Sequence, residues 1–200
     1  MPIARYANWE VRQNAVASTV NNPLAWSTGD SLAWAFRCID ALASWPELGI
    51  TSTLYPSLAG QYADLAGFQS YVAGRGWATA ADAATEVLGP ASSLPLTRLQ
   101  RGDIVYVAEM APPEDECLDC ALQISGTSLD PTHGTGFGRL FVMTDGVLLT
   151  PGPDMNGEHP NRIELRLDCY RCAATQAWHI PFHAMTGDEE ARLRRAERFV

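Results

Sequence analysis

Trp26-Ser27-Thr28-Gly29-Asp30-Ser31-Leu32-Ala33-Trp34-Ala35-Phe36-Arg37-Cys38-Ile39-Asp40-Ala41-Leu42-Ala43-Ser44-Trp45 is a short turn followed by a segment rich in Ala and Leu. Wound as a helix, Asp30 to Trp45 carries large apolar side chains on nearly every face. A helix apolar all round has no side to offer to water and is buried within a larger body. The stretch therefore predicts a central helix around which the other elements pack.

Outward from it, residues 5–21 place Tyr6, Trp9, Ala15, Val16 and Val20 near one helical stripe, ended by Asn21-Asn22-Pro23. On the other side, Pro46 and Gly49 open a loop, and Ser57–Gly74 and Ala78–Leu88 read as helices. Gly74-Arg75-Gly76-Trp77 separates these two, and Gly89-Pro90 closes the second. From Arg101 the pattern shifts to short β-prone runs divided by Gly, Pro and Asp: Ile104–Val107, Ala121–Ile124, Leu140–Met143, Gly146–Leu149, Ile163–Leu167 and Ala177–Ile180. Asp145-Gly146 suits a hairpin turn because both residues tolerate positive φ. Thr186-Gly187-Asp188-Glu189 has the spacing of a capping box, starting a charged helix to about Phe199. These readings predict an α+β protein. The expected organisation is one domain over 1–185, with a helical half (1–95) and a half (100–182) forming a small antiparallel sheet or barrel. A charged C-terminal helix follows over 186–200.

The chain has 200 residues and a net charge of −9, with a sequence pI near 4.8. That balance argues against a nucleic-acid binder, which concentrates Lys and Arg along a phosphate track. The one basic cluster, Arg192, Arg194, Arg195 and Arg198, alternates with acids and reads as a solvated helix face. No run reaches the ~18 apolar residues of a membrane span. Met1-Pro2-Ile3-Ala4-Arg5 lacks the apolar core of a signal peptide, so cytoplasmic synthesis with reduced thiols is the expectation.

Against that background, Cys117 and Cys120, with Cys169 and Cys172, form two C-x-x-C pairs. A two-residue gap lets both sulfurs of a pair turn toward one ion, and two such knuckles complete a tetrahedral thiolate cage. The interval from Cys120 to Cys169 exceeds the ~15–20 residues of the usual zinc module, so the site would join distant loops. Zinc is the first expectation, and an iron–sulfur cluster is the alternative, since four thiolates hold either. A disulfide within a C-x-x-C closes a small strained ring, which leaves bridges between the pairs as the covalent alternative. The fifth cysteine, Cys38, falls in the central helix and reads as a buried apolar residue.

Of the four histidines, His133 and His159 lie in loop contexts, while His179 and His183 read as structural residues of the last strand and the segment beyond it. A Ser31-His133-Asp130 arrangement rests on spacing alone. The Arg101-Gly102-Asp103 triplet, at the start of a strand, reads as a turn rather than an adhesion signal.

Several segments together resemble a known group. These are Asn8-Trp9-Glu10, Pro23-Leu24-Ala25-Trp26 followed by Asp30 and the buried helix, and Tyr62-Ala63-Asp64 leading to Arg75-Gly76. Leu88-Gly89-Pro90, Arg101-Gly102-Asp103-Ile104-Val105 and Ala177-Trp178-His179-Ile180 continue the order. The chain is similar to phage-encoded relatives of NlpC-type, papain-like cell-wall peptidases at the tail tips of siphophages and gene transfer agents. The resemblance implies a papain-like fold, in whose active members the helix after the Trp turn begins Asp-Cys with the thiol as nucleophile. Here the pair is Asp30-Ser31, whose hydroxyl gains far less from the helix dipole than a thiol does. The resemblance also implies a histidine base on an early strand after Arg101-Gly102-Asp103, and Ala121-Leu122-Gln123-Ile124 at the equivalent place contains none. The two loops that end in the cysteine knuckles read as insertions stapled by metal.

The resulting expectation is a structural tail-tip or baseplate component of a virion, with a degenerate peptidase fold and other tail proteins as partners. The alternatives are an active peptidoglycan amidase or endopeptidase aiding genome delivery, with Ser31 as nucleophile or as an engineered cysteine replacement, and a cytoplasmic metal-binding interaction module.

Overall fold

The structure is a computed structural model, and it describes residues 3–22, 25–92, 98–108, 136–152, 162–166 and 174–196. The architecture is α+β, with helices first and an antiparallel sheet second. The helices are α1 (Trp9–Ala17), α2 (Ser31–Ala43), α3 (Leu54–Leu58), α4 (Leu65–Arg75), α5 (Ala80–Leu88) and α6 (Gly187–Ala196). The strands are β1 (Ile104–Val107), β2 (Arg139–Met143), β3 (Val147–Pro151), β4 (Arg162–Arg166) and β5 (Ala174–Trp178), ordered β4-β3-β2-β1-β5.

The central helix is buried on most of its surface, leaving one half-buried stripe at Arg37, Asp40 and Ala41. Leu32, Ala33, Trp34, Ala35, Phe36, Cys38, Ile39 and Leu42 are all buried. They join a cluster that includes Phe68 and Trp77 from the helical half and Ile104, Tyr106, Leu140, Val142 and Trp178 from the sheet. The register pairs Ile104 with Val142, Val105 with Phe141 and Tyr106 with Leu140. Successive side chains on a strand alternate faces, so Ile104, Tyr106, Leu140 and Val142 look toward the helices. Val105, Val107 and Phe141 are buried on the opposite face, which explains why β1 and β2 read as continuous apolar runs rather than alternating ones.

Local chemistry sets several boundaries where the sequence places them. Thr79 and Asp82 form a capping box at α5, and Thr186 and Glu189 form the equivalent at α6. The Thr144-Asp145-Gly146 turn joins β2 to β3, with Gly146 at φ +90°. α6 is described to Ala196, and the expected end at Phe199 lies outside the described residues.

Other boundaries differ. The helix expected over 5–21 starts only at Trp9, because Arg5 pairs with the segment after β5: its N–H donates to the Pro181 carbonyl (2.7 Å), and His183 N–H donates to the Arg5 carbonyl (2.8 Å). Its last turn, Ser18–Asn21, is a 3-10 helix. The helix expected over Ser57–Gly74 is two helices. Gly60 at φ +78° breaks it, Asp64 caps α4 through Gly67 N–H (2.7 Å), and Asp40 of α2 accepts from Leu54 and Tyr55 N–H to start α3 early. The strand expected at Ala177–Ile180 runs instead over Ala174–Trp178, with a register shift against β1 between Tyr106 and Val107. The run Ala121–Ile124 lies outside the described residues. Among the described residues, no helix is long and apolar enough to cross a membrane.

Candidate functional site

The turn Trp26–Asp30 ends in a backbone that only its surroundings can hold. Ser27 stands at φ +55°, a left-handed conformation unfavourable for a residue with a Cβ. Its N–H donates to Asp30 Oδ2 (2.7 Å), and its Oγ accepts from Gly60 N–H (2.9 Å). Trp26 meets the rings of Tyr62 and Phe68 at centroid distances of 6.1 and 5.9 Å. The break between α3 and α4 thus braces the turn that feeds α2.

Asp30 is the N-cap of α2. Its Oδ1 accepts from the N–H groups of Leu32 (3.1 Å) and Ala33 (3.0 Å), the donors a helix start leaves unsatisfied. The Tyr62 hydroxyl donates to the same carboxylate, at 3.1 Å from Oδ1 and 3.0 Å from Oδ2. Burial pushes the Asp30 carboxyl up, and the N–H donors and the phenol pull against that rise. With both oxygens so engaged, Asp30 is committed to holding the turn and has no free position from which to act as a base.

Ser31 is the first residue of α2 and is 7% exposed. No histidine or carboxylate among the described residues is hydrogen-bonded to it. His179 Nδ1 lies 3.1 Å from Asp103 Oδ1, and His183 Nε2 lies 2.9 Å from Glu189 Oε2. Both histidines are thus engaged with carboxylates elsewhere and not with Ser31. His133, Asp130 and His159 lie outside the described residues. The described strand that pairs with the far side of β1 is β2, Arg139-Leu140-Phe141-Val142-Met143, and it contains no histidine. Gly138, immediately before it, sits at φ +71° against the Tyr106 ring.

Cys38 is fully buried within α2, and burial pushes its thiol far up, which keeps it protonated and inert. Cys117, Cys120, Cys169 and Cys172 lie outside the described residues. Among the described residues there is no group of three or more His, Cys, Asp or Glu that could hold a metal ion.

A second polar centre was not legible in the sequence. Asp103 is buried, forms an ion pair with Arg5, accepts Gln100 N–H at Oδ2 (2.7 Å) and holds His179. Arg5 also donates to the Arg101 carbonyl and lies over the rings of Trp9 (4.9 Å) and Phe182 (5.4 Å). Burial pushes the Asp103 carboxyl up, against the pull of Gln100, Arg5 and His179. The Arg101-Gly102-Asp103 triplet is thus a turn, as expected, but one whose acid ties the N-terminal segment to the end of the sheet. Only the position of Asp103 before a strand hinted at this, since its side-chain partners Arg5 and His179 are far away in the chain.

A family described as "Domain of unknown function (DUF6950)" matches residues 4–140. No curated protein and no solved structure matches the chain.

Proposed function

The chain belongs to the DUF6950 family, and on the separate ground of its segment resemblance and its Asp30-Ser31 pair we propose that it is a structural component of a phage or gene-transfer-agent tail tip or baseplate, built on a degenerate NlpC-type peptidase fold. The observation that carries this reading is Asp30-Ser31 at the head of the buried helix, with Ser31 lacking any basic partner among the described residues. A serine needs a base to become a nucleophile, because its hydroxyl, unlike a thiol, is not ionised appreciably by a helix dipole. The order of elements, helices before an antiparallel sheet, agrees with the reading at the level of fold class. The segments quoted from Asn8 to Ile180 supply the resemblance. In this proposal the protein is made in the host cytoplasm and works in the virion with neighbouring tail proteins as partners.

The proposal includes a metal staple formed by Cys117, Cys120, Cys169 and Cys172, with zinc as the ion and an iron–sulfur cluster as the alternative. Its support is the repeated C-x-x-C spacing. The ion would order two loops of low apolar content, a role in which metal binding is folding free energy.

Peptidoglycan digestion by the purified chain tests the main reading. Wild type and Ser31→Ala are both expected to release no peptide or amino sugar above the buffer background. Wild-type hydrolysis abolished by Ser31→Ala would overturn the structural role and establish the second reading, an amidase or endopeptidase. That second reading has one observation in its favour: Ser31 occupies the first turn of a helix of 13 residues, where a nucleophile belongs. Hydrolysis gained only in Ser31→Cys would identify an intact site that lacks only its thiol.

A further inference from the structure

Away from the Ser31 turn, His179 lines a cleft of about 240 Å³ together with Ile3, Leu88, Pro90, Trp178 and Ile180. Its walls come from three distant parts of the chain, and each is tied down. Ser92 N–H donates to the Ala177 carbonyl (2.7 Å), Arg5 N–H donates to the Pro181 carbonyl (2.7 Å), and Trp178 Nε1–H donates to the Gly89 carbonyl (2.9 Å). The Trp178 indole has therefore spent its polar group and offers the cleft only hydrocarbon. No Lys, Arg, Asp or Glu is among the lining residues.

Ser92 and His179 are the polar residues of the lining, and the imidazole is a prepared one. Asp103, 1% exposed, faces its Nδ1 with both oxygens, at 3.1 and 3.3 Å. A carboxylate accepts and never donates when ionised, so Nδ1 must carry a proton. In the neutral ring the lone pair is then confined to Nε2, which has no partner among the described residues, and the His179 side chain is 26% exposed. A buried acid that fixes the tautomer of a histidine in a cleft is the arrangement that orients such a ring toward a ligand.

We propose that this cleft binds a small neutral molecule with an apolar body and a single O–H or N–H donor, which it gives to His179 Nε2. Size sets the body: an apolar cavity of ~150 Å³ is enough to hold a benzene ring, so the cleft suits one ring or a short branched chain. Charge sets the rest. The Asp103–Arg5 ion pair behind the ring is internally balanced, and the lining offers no Lys, Arg, Asp or Glu to pair with a charged ligand.

Phenol and toluene, titrated separately into the full chain labelled with nitrogen-15 at about pH 8, test the proposal, because they share a ring and differ in the donor. Phenol is expected to shift the His179 ring resonances and to bind roughly 2–13-fold more tightly than toluene, the range of one neutral hydrogen bond of about 0.5–1.5 kcal/mol. In His179→Ala, phenol is expected to fall to the affinity of toluene. Equal affinities in the wild type, an unmoved His179, no binding of either probe, or phenol binding unchanged in His179→Ala would each overturn it. The wild-type comparison needs no variant and so does not depend on whether His179→Ala folds.

Discussion

Tyr62 donates its phenolic hydrogen to the carboxylate of Asp30, a residue 32 positions away, and so fastens the break between α3 and α4 to the start of the central helix. Asp30 in turn caps that helix and holds the left-handed Ser27. The turn before Ser31 is thus set jointly by its own Ser27 and Asp30 and by Gly60 and Tyr62 from outside it.

Tyr62→Phe removes only the donor and leaves the ring contacts with Trp26, Phe68 and Tyr71. A hydrogen bond to a charged group is worth about 1.5–3 kcal/mol, and urea unfolding should show a loss of that order. A change below a few tenths would mean that Asp30 does not depend on the phenol.

Asp30→Asn should reverse the usual acid behaviour at this site. Burial raises the Asp30 carboxyl in the folded state above its unfolded range near ~3.9. Between those two values the folded protein binds more protons than the unfolded one, so this group makes the fold more stable as pH falls. The gain is complete below the unfolded value. The stability of wild type relative to Asp30→Asn should therefore increase from neutral pH toward pH 4, as read by urea unfolding at several pH values. A difference that shrinks over the same range would contradict the assignment.

Gly138→Ala and Gly146→Ala should differ although both glycines have positive φ. A Cβ at Gly138 would stand 2.6 Å from Tyr106 Cε2 and 2.7 Å from the Val107 carbonyl, whereas one at Gly146 would meet nothing within 4 Å. The backbone penalty alone is about 1–2 kcal/mol. Gly146→Ala should cost that much, and Gly138→Ala more than about 2 kcal/mol because backbone must also move. Thermal unfolding of the two variants decides it.

The five cysteines should separate by reactivity. If four hold a metal, the folded protein should resist a thiol reagent until a chelator is added, and then four groups should react. Cys38, fully buried, should react only in denaturant. Elemental analysis should find zinc, or iron with a visible charge-transfer band. Finding neither metal would remove the staple from the proposal.

The burial of α2 was legible because a helix apolar on nearly every face has one destination, and the capping box at Thr186 and the Asp145-Gly146 hairpin were legible because their chemistry is contained within four residues. The start of α3 was not, because the caps for Leu54 and Tyr55 come from Asp40 on another helix. The start of α1 was missed for a similar reason, since Arg5 pairs with Pro181 and His183 instead of extending the helix. Of the candidate site, the sequence alone placed Asp30-Ser31 at the head of a helix and Cys38 buried within it. Only the tertiary structure decided that Asp30 belongs to Tyr62 and Ser27, and that Asp103 gathers Arg5 and His179 around one buried charge. Local propensity and capping act over one or two turns and leave their mark in the order of residues. A buried carboxylate recruits whatever donors the packed chain brings within about 3 Å, and that choice has no signature in the spacing of the sequence.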